Sequence, residues 1–517
     1  MKALLALSPL CLVVVGCAHY QMACPKAGGP AWIELTSPHF TLRTTLPADS
    51  AYELLREDEV VYDEQQAGAG FFFPDGAAGD RTTVVVFDRL WEYQAVVRPD
   101  QVGPGSGARE LEVGRLAPND ERGRPMIALS VDTAAKWSLR YQLAQQLLRQ
   151  RLHAPPMWLI VGLGEYFGVL AHQDDKLALG AGTPRLAQYN FSTGMGGITA
   201  VGGSHAFMGE LPDVALFLKN EPFTAHNIDL RLAAWTLVHY LANGGSDYAD
   251  RFRRFLAALA DGQPTVAALV AEYGPVEGID AAYRKHLNTM VKNEAMQYLV
   301  RYAPPSTTRT KFVSRPLDDA ELHEMKALLR PSTSSAELAV AEQHAPQSPA
   351  LHRWLALNAD RAHDDATAER EMATAASLAN GDRFYRYEAL RVRFEHALAR
   401  PPAEQHLEAL ADEMRAVAHF ASQPAQLELI AHYYRLAGDA TFAATFAARS
   451  VALDPQCARC LVTQAQIFIE RGDQPSAIAA LEAALRRAPD APNDLGAAAL
   501  LQKVKEIDCQ TNHNCAK

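Results

Sequence analysis

The stretch Ser138–Gly168, SLRYQLAQQLLRQRLHAPPMWLIVGLGEYFG, decides how the front of the chain is read. Trp137, Leu139, Leu143, Leu147 and Leu148 recur at helical spacing and fall largely on one stripe, so the spacing predicts a helix from Ala134 to His153. Pro155-Pro156 stops it, because proline removes a backbone donor and disfavours helical geometry in the residue before it. A second helix follows over Trp158–Leu170. Positions 141 and 145 are one helical turn apart and project the same way.

Working outward from that pair, the upstream residues alternate like strands. Ile33 and Leu35 share one face, a Ser37-Pro38 break follows, and Phe40, Leu42 and Thr44 continue the alternation. Ala51–Gln65 is helical in spacing, Thr82–Phe87 is a β-branched strand, Leu90–Val97 is a short helix and Met126–Val131 is another strand. Strands alternating with helices predict a small α/β layer. Downstream, helices are expected over Leu230–Ala242, Ala249–Leu259, Val266–Glu272 and Ile279–Tyr298, after a glycine-rich loop from Gly180 to Gly203.

Pro156, Trp158, Leu159, Gly162, Glu165, Tyr166 and Phe167 reproduce a P-x-W-L-x-x-G-x-A-E-Y-F segment. In this the chain resembles the peptidase MA-like gluzincins, where such a segment follows a helix bearing H-E-x-x-H. The strand Thr82–Phe87, the strand around Phe40 and the run Ala234–Leu241 extend the likeness over about residues 31 to 295. In that family two imidazoles at i and i+4 share a zinc ion, a glutamate after the first takes a proton from the metal-bound water, and a glutamate on the next helix is the third ligand. Here Tyr141 stands at the first histidine, Gln142 at the general base and Gln145 at the second histidine, while Glu165 remains, twenty residues after Gln145. An amide takes no proton near neutral pH and is a poor zinc ligand, so the resemblance implies a fold without its catalysis, no cofactor and no metal. The cleft would persist as a groove lined by Tyr141, Gln142, Gln145, Trp158, Glu165 and Tyr166. His153, His172 and His205 offer no partner at i+4, and His323-Glu324 begins the same motif but has Ala327 at the second-histidine position. His239 lies on an apolar stripe and reads as a packed histidine. No G-x-S-x-G, P-loop or G-x-G-x-x-G is present in a suitable context.

Lys2, the apolar run Ala3–Val15 and Val14-Val15-Gly16-Cys17 resemble a bacterial lipoprotein signal, which implies cleavage before Cys17 and its acylation. An ordinary secretory signal is the alternative; both export the protein. The resemblance implies a lipid-anchored protein of the bacterial envelope, with Ala18 leaning towards the outer membrane. A net charge of -11 argues against nucleic acid, which needs clustered Lys and Arg. Exported cysteines meet an oxidising compartment. Cys457, Cys460, Cys509 and Cys515 therefore read as two disulfides pinning the tail to the last repeat, with a four-thiolate zinc site as the alternative.

Beyond about residue 335 the chain is alanine-rich and helical. Gly438-Asp439 recurs as Gly472-Asp473, Ala443 as Ala477, and Asp454-Pro455 as Ala488-Pro489, each 34 residues apart. That period, with small residues at helix crossings and proline closing the unit, resembles the tetratricopeptide repeat. It covers Gln423–Pro489 strongly, and Ser348–Asp382 is a diverged unit. An alanine-rich bundle without stacked repeats is the alternative.

The expected organisation is a signal peptide (1–16), a lipidated linker (17–30), an α/β sheet subdomain (31–133), a helical metallopeptidase-like subdomain (134–303), a linker and helix (304–334), tetratricopeptide-like repeats (335–506) and a cysteine-containing tail (507–517). The fold class is thus an α+β gluzincin-like domain, small sheet plus helical subdomain, followed by an all-α solenoid. The expected function is a catalytically inactive binding or scaffold lipoprotein, with envelope proteins or peptides as partners through the groove and the repeats. An envelope peptidase or hydrolase that is zinc-independent or uses an unconventional metal is the alternative.

Overall fold

The computed structural model describes residues 24–73, 81–97, 114–117, 119–131, 135–152, 155–180, 214–218, 228–291, 297–302, 312–455, 457–487 and 496–512. The expected signal peptide, Cys17, the loop beyond Gly180 and Cys515 lie outside these residues. Among the described residues no helix is long and apolar enough to cross a membrane.

The first part contains β1 (Ile33–Thr36), β2 (Phe40–Thr44), α1 (Ala48–Gly70), β3 (Thr82–Phe87), α2 (Leu90–Val97), β4 (Gly114–Ala117), β5 (Met126–Ser130), α3 (Ala135–Arg151) and α4 (Met157–Gly168). There follow β6 (Ala171–Gln173), β7 (Lys176–Leu179), α5 (Val214–Leu218), α6 (Ile228–Asn243), α7 (Tyr248–Ala260), α8 (Thr265–Tyr273), α9 (Val276–Val291), β8 (Tyr298–Arg301), β9 (Val313–Pro316) and α10 (Asp319–Leu329). The rest is helical: α11 (Ser334–His344), α12 (Pro349–Arg361), α13 (Asp365–Leu378), α14 (Arg383–Ala399), α15 (Ala411–Ala418), α16 (Pro424–Leu436), α17 (Ala440–Leu453), α18 (Ala458–Glu470), α19 (Gln474–Arg487) and α20 (Ala497–Asn512).

Six strands form one sheet in the order β4-β5-β3-β2-β1-β9. The β2, β3 and β5 strands run parallel, and the hairpin partner β1 and both edges run antiparallel. Its residues alternate between two buried faces. Leu35, Leu42, Val84, Val86, Ile127 and Leu129 meet Ala51 and Leu55 of α1 and Leu139 and Leu143 of α3. Trp32, Val85, Phe87, Met126 and Ala128 meet Tyr93 of α2 and Leu322, Met325 and Leu329 of α10. A sheet covered on both faces buries β-branched runs throughout, as in Thr82–Phe87.

The far edge of this sheet corrects the expected boundaries. The segment 304–334, read as linker and helix, returns to the first layer: β9 pairs with β1, Leu35 opposite Ser314, and α10 covers the sheet. The sheet unit is therefore closed by residues nearly three hundred positions after it begins. A second correction concerns Tyr298, expected to end a helix. It opens β8, where Tyr298–Arg301 pairs antiparallel with β7 in a three-stranded sheet. Tyr-Leu-Val favours extended backbone once it has a strand to pair with.

The helical bundle behind the sheet is organised by α4. Every residue from Trp158 to Gly168 is buried. Gly162 permits the closest crossing: a Cβ there would stand 2.5 Å from the Ala234 carbonyl oxygen and 2.6 Å from Val238 Cγ2 of α6.

From α10 onward the chain makes antiparallel helix pairs. Gly438 and Gly472 adopt φ of 81° and 75°, a left-handed backbone that glycine takes at low cost, and end α16 and α18. The aspartates after them cap the returning helices, Asp439 accepting from Phe442 N at 3.1 Å and Asp473 from Ser476 N at 3.2 Å. Ala443 and Ala477 are fully buried at equivalent places. The α12–α13 pair, within the expected diverged unit, turns at His363 and is capped by Asp364. Two short 3-10 turns at Pro402–Glu404 and Leu407–Leu410 interrupt the period between these hairpins.

Candidate functional site

Helix α3 lays Tyr141 and Gln145 one turn apart, and α4 brings Glu165 beneath them. The two helices approach at Gly164, where a Cβ would come within 2.8 Å of the Tyr141 ring and 3.4 Å of Gln145 Cγ. The three positions expected from the resemblance are thus neighbours. Their chemistry is closed by a residue that the sequence did not single out. Arg231 of α6 donates from Nε to Glu165 Oε1 at 3.0 Å, and its Nη2 contacts the same oxygen.

Glu165 is 0% exposed and Arg231 is buried with it. The guanidinium sits 4.9 Å from the Tyr141 ring centroid and 5.9 Å from that of Trp137, and these two rings stack 5.3 Å apart. Tyr141 therefore occupies space over Glu165 and supplies an aromatic face to its counter-ion. Burial pushes the Glu165 carboxyl above the usual carboxylate range, with Arg231 opposing. Burial would lower the Arg231 pKa, but the carboxylate beside it wins and holds it above its ordinary value. The Tyr141 phenol is pushed up to about 12 by burial, so it stays protonated at neutral pH. Glu165 Oε2 is buried with no hydrogen-bond partner.

The residues expected to line a groove are largely enclosed. Tyr141, Gln142, Trp158, Glu165 and Tyr166 are all buried, and Gln145 is half-buried. Trp158 packs in the bundle core at 6.3 Å from Phe217, and Tyr166 donates its hydroxyl to Asn243 Oδ1 at 2.9 Å. Both follow from the position of α4, in which Trp158–Gly168 are all buried. Arg231 was detectable in principle. It is a lone cation in the run Leu230-Arg231-Leu232-Ala233-Ala234-Trp235, and a charge buried in such a helix needs a paired partner.

The other histidines sort separately. His239 is buried, with Nε2 at 3.0 Å from the Gly180 carbonyl oxygen and Nδ1 at 3.0 Å from His286 Nε2. A carbonyl only accepts, so His239 carries its proton on Nε2 and accepts the His286 proton at Nδ1. His172 pairs with Glu64 at 2.7 Å, whereas His153 and His205 lie outside the described residues. Burial lowers both His239 and His286 to about 4. A depressed histidine contributes stability that is present above its unfolded value of 6.5 and lost as pH falls through 4. For His239 the full effect is about 3 kcal/mol, at roughly 1.4 kcal/mol per pKa unit. Urea midpoints should accordingly fall between pH 6.5 and 4, and His286→Gln should flatten that slope; an unchanged slope would remove the pair from the account.

The cysteines need a correction. Cys457 and Cys460 bond to each other, Cα atoms 5.3 Å apart, so they do not pin the tail to the last repeat. They lie three residues apart at the start of α18, where Cys457 also accepts from Cys460 N at 3.1 Å. Cys509 is disulfide-bonded as well, and Cys515 lies outside the described residues.

No protein family and no curated protein matches the chain. Among solved structures, a thermophilic TPR protein of Thermus thermophilus is similar at 17% identity and a TM-score of 0.29, over 36% of this chain and 96% of its own. At that score the likeness defines neither fold nor role, and the helix pairs rest on their own turns, caps and packing.

Proposed function

We propose that this protein is an envelope lipoprotein that holds partner proteins on its helical array, with a metallopeptidase-like front unit that no longer hydrolyses peptides. The single observation behind the non-catalytic half is that Glu165 is engaged by Arg231 under the Tyr141 ring. A carboxylate so engaged is spent as a ligand, and the residues beside it supply neither imidazole nor a proton acceptor.

The binding half is supported by a face of α17 on which Phe442 and Leu453 are exposed on either side of the buried ring of Phe446. Phe442, Phe446, Arg449 and Leu453 recur at i, i+4, i+7 and i+11, hence on one helical face. Phe442 is 52% exposed and Leu453 48%. Tyr434 stacks on Phe442 at 5.2 Å and on Phe446 at 6.0 Å, and the Arg449 guanidinium lies 5.6 Å from the Phe446 centroid. Rigid aromatics flanked by arginine are the composition of interaction hot spots.

The test is crosslinking of the full chain in its native envelope, with Phe442→Glu and Leu453→Glu compared to wild type. Loss of specific partners with an unchanged circular dichroism spectrum is expected, at a cost of about 2 kcal/mol or more in binding, as for a buried hot spot. Partner recovery equal to wild type would contradict the array as the binding surface.

A further inference from the structure

A second cluster lies far from the α3–α4 crossing, where the start of the described chain meets α10 and α11. Cys24 is 2% exposed, and its carbonyl accepts from Ala27 N and Gly29 N at 2.9 Å, fixing a tight turn. Its Sγ stands 3.1 Å from His344 Nδ1 at the end of α11. One atom each from Cys24, His323 and His344 can be chosen such that all lie within 4.8 Å of one another. Asp319 is one turn before His323 on α10, and its buried Oδ2 reaches to 3.4 Å from the same His344 nitrogen.

The state of His323 points to a ligand. It is 4% exposed; its Nδ1 is engaged by the Glu337 carboxylate, and its Nε2 is buried with no hydrogen-bond partner. An orphaned buried ring nitrogen costs about 1–3 kcal/mol. A carboxylate on the other nitrogen of the ring is also the arrangement that orients metal-bound imidazoles and makes them more basic.

We propose that Cys24, His323 and His344, with Asp319 in the fourth position, bind a zinc ion. Thiolate, two imidazoles and a carboxylate are a zinc donor set, and tetrahedral bonds place such donors about 3.3–3.6 Å apart, against 3.1 Å from Cys24 Sγ and 3.4 Å from Asp319 Oδ2 to His344 Nδ1 here. The charges balance. With zinc bound, Cys24 as thiolate, Asp319 and Glu337 bring three negative charges, which the divalent cation and Lys326, buried beside them, match. On binding, the Cys24 S–H bond is replaced by S–Zn and the proton leaves to solvent. Burial of the sulfur leaves no access for a macromolecular substrate, so the site is structural. It staples the N-terminal turn to α10, which covers the sheet, and to α11, which begins the helical array.

The full-length chain, stripped with chelator, is titrated with zinc against a chromophoric competitor and separately with cobalt. One equivalent should bind, with sulfur-to-cobalt charge transfer and the intense visible bands of a tetrahedral ion. Cys24→Ser should abolish the charge transfer, His323→Gln should weaken zinc by about 100-fold, and Glu337→Gln by about 10- to 100-fold. Circular dichroism checks each variant. Should Cys24→Ser fail to fold, peptide mapping of wild type decides instead, since zinc should protect Cys24 from alkylation. No stoichiometric binding, binding undiminished in Cys24→Ser and His323→Gln, or alkylation of Cys24 unaffected by zinc would overturn the site.

Discussion

Arg231→Leu should destabilise the front unit by about 3–5 kcal/mol, because it strands a buried carboxylate without its counter-ion. The geometry leaves little relief. Glu165 is 0% exposed, and its Oε2 already lacks a hydrogen-bond partner. Once Arg231 is gone, the remaining outlet is protonation, so the loss should be largest at high pH and should shrink as pH falls below the folded pKa of Glu165. The double variant Glu165→Leu with Arg231→Leu should recover most of the loss, since a buried ion pair replaced by apolar groups is often neutral or stabilising. Urea unfolding followed by tryptophan fluorescence reads this directly, with Trp158 and Trp235 on the two helices concerned. A double variant as unstable as the single one would mean that the pair does more than neutralise itself.

Arg43→Met is the second large effect, again about 3–5 kcal/mol. Arg43 is 1% exposed on β2, donating to Glu34 at 2.9 Å and to Glu121 at 2.9 Å. The register sets Arg315, Glu34 and Arg43 in one row across β9, β1 and β2, opposite charges side by side. Glu34 keeps Arg315, at 2.9 Å, when Arg43 is removed. Glu121 keeps less, and the substitution reaches the array, because the Glu121 carbonyl also accepts from Arg353 of α12, which pairs with Glu324 of α10. Arg122 next to it binds Asp382 at 2.9 Å. Arg43→Met should therefore lower the unfolding midpoint of the sheet unit and also raise the protease sensitivity of the α12–α13 region. A loss of less than about 1 kcal/mol, the value of an exposed pair, would show that the row is solvated.

What was legible in the sequence is what local periodicity carries. The β-branched run Thr82–Phe87, the Ser37-Pro38 break and the Pro155-Pro156 stop each dictate backbone geometry within a few residues, and each stands where it was expected. The 34-residue recurrence of Gly-Asp marks real turns because both glycines need a left-handed backbone. Contacts between distant residues were not legible. Val313-Ser-Arg-Pro has too little apolar character to announce an edge strand, yet it closes the sheet against β1. Arg231 meets Glu165 across 66 positions, and Cys24 meets His344 across 320. The cysteine pattern misled because an even count says nothing of pairing, and two cysteines three residues apart can satisfy each other.

The most direct test is the zinc content of the purified full-length chain, wild type against Glu165→Gln. Because Glu165 is tied to Arg231, both should hold equal zinc, and any bound equivalent should disappear with Cys24→Ser instead. Loss of a whole equivalent in Glu165→Gln would return that carboxylate to the role of a metal ligand and contradict the non-catalytic reading.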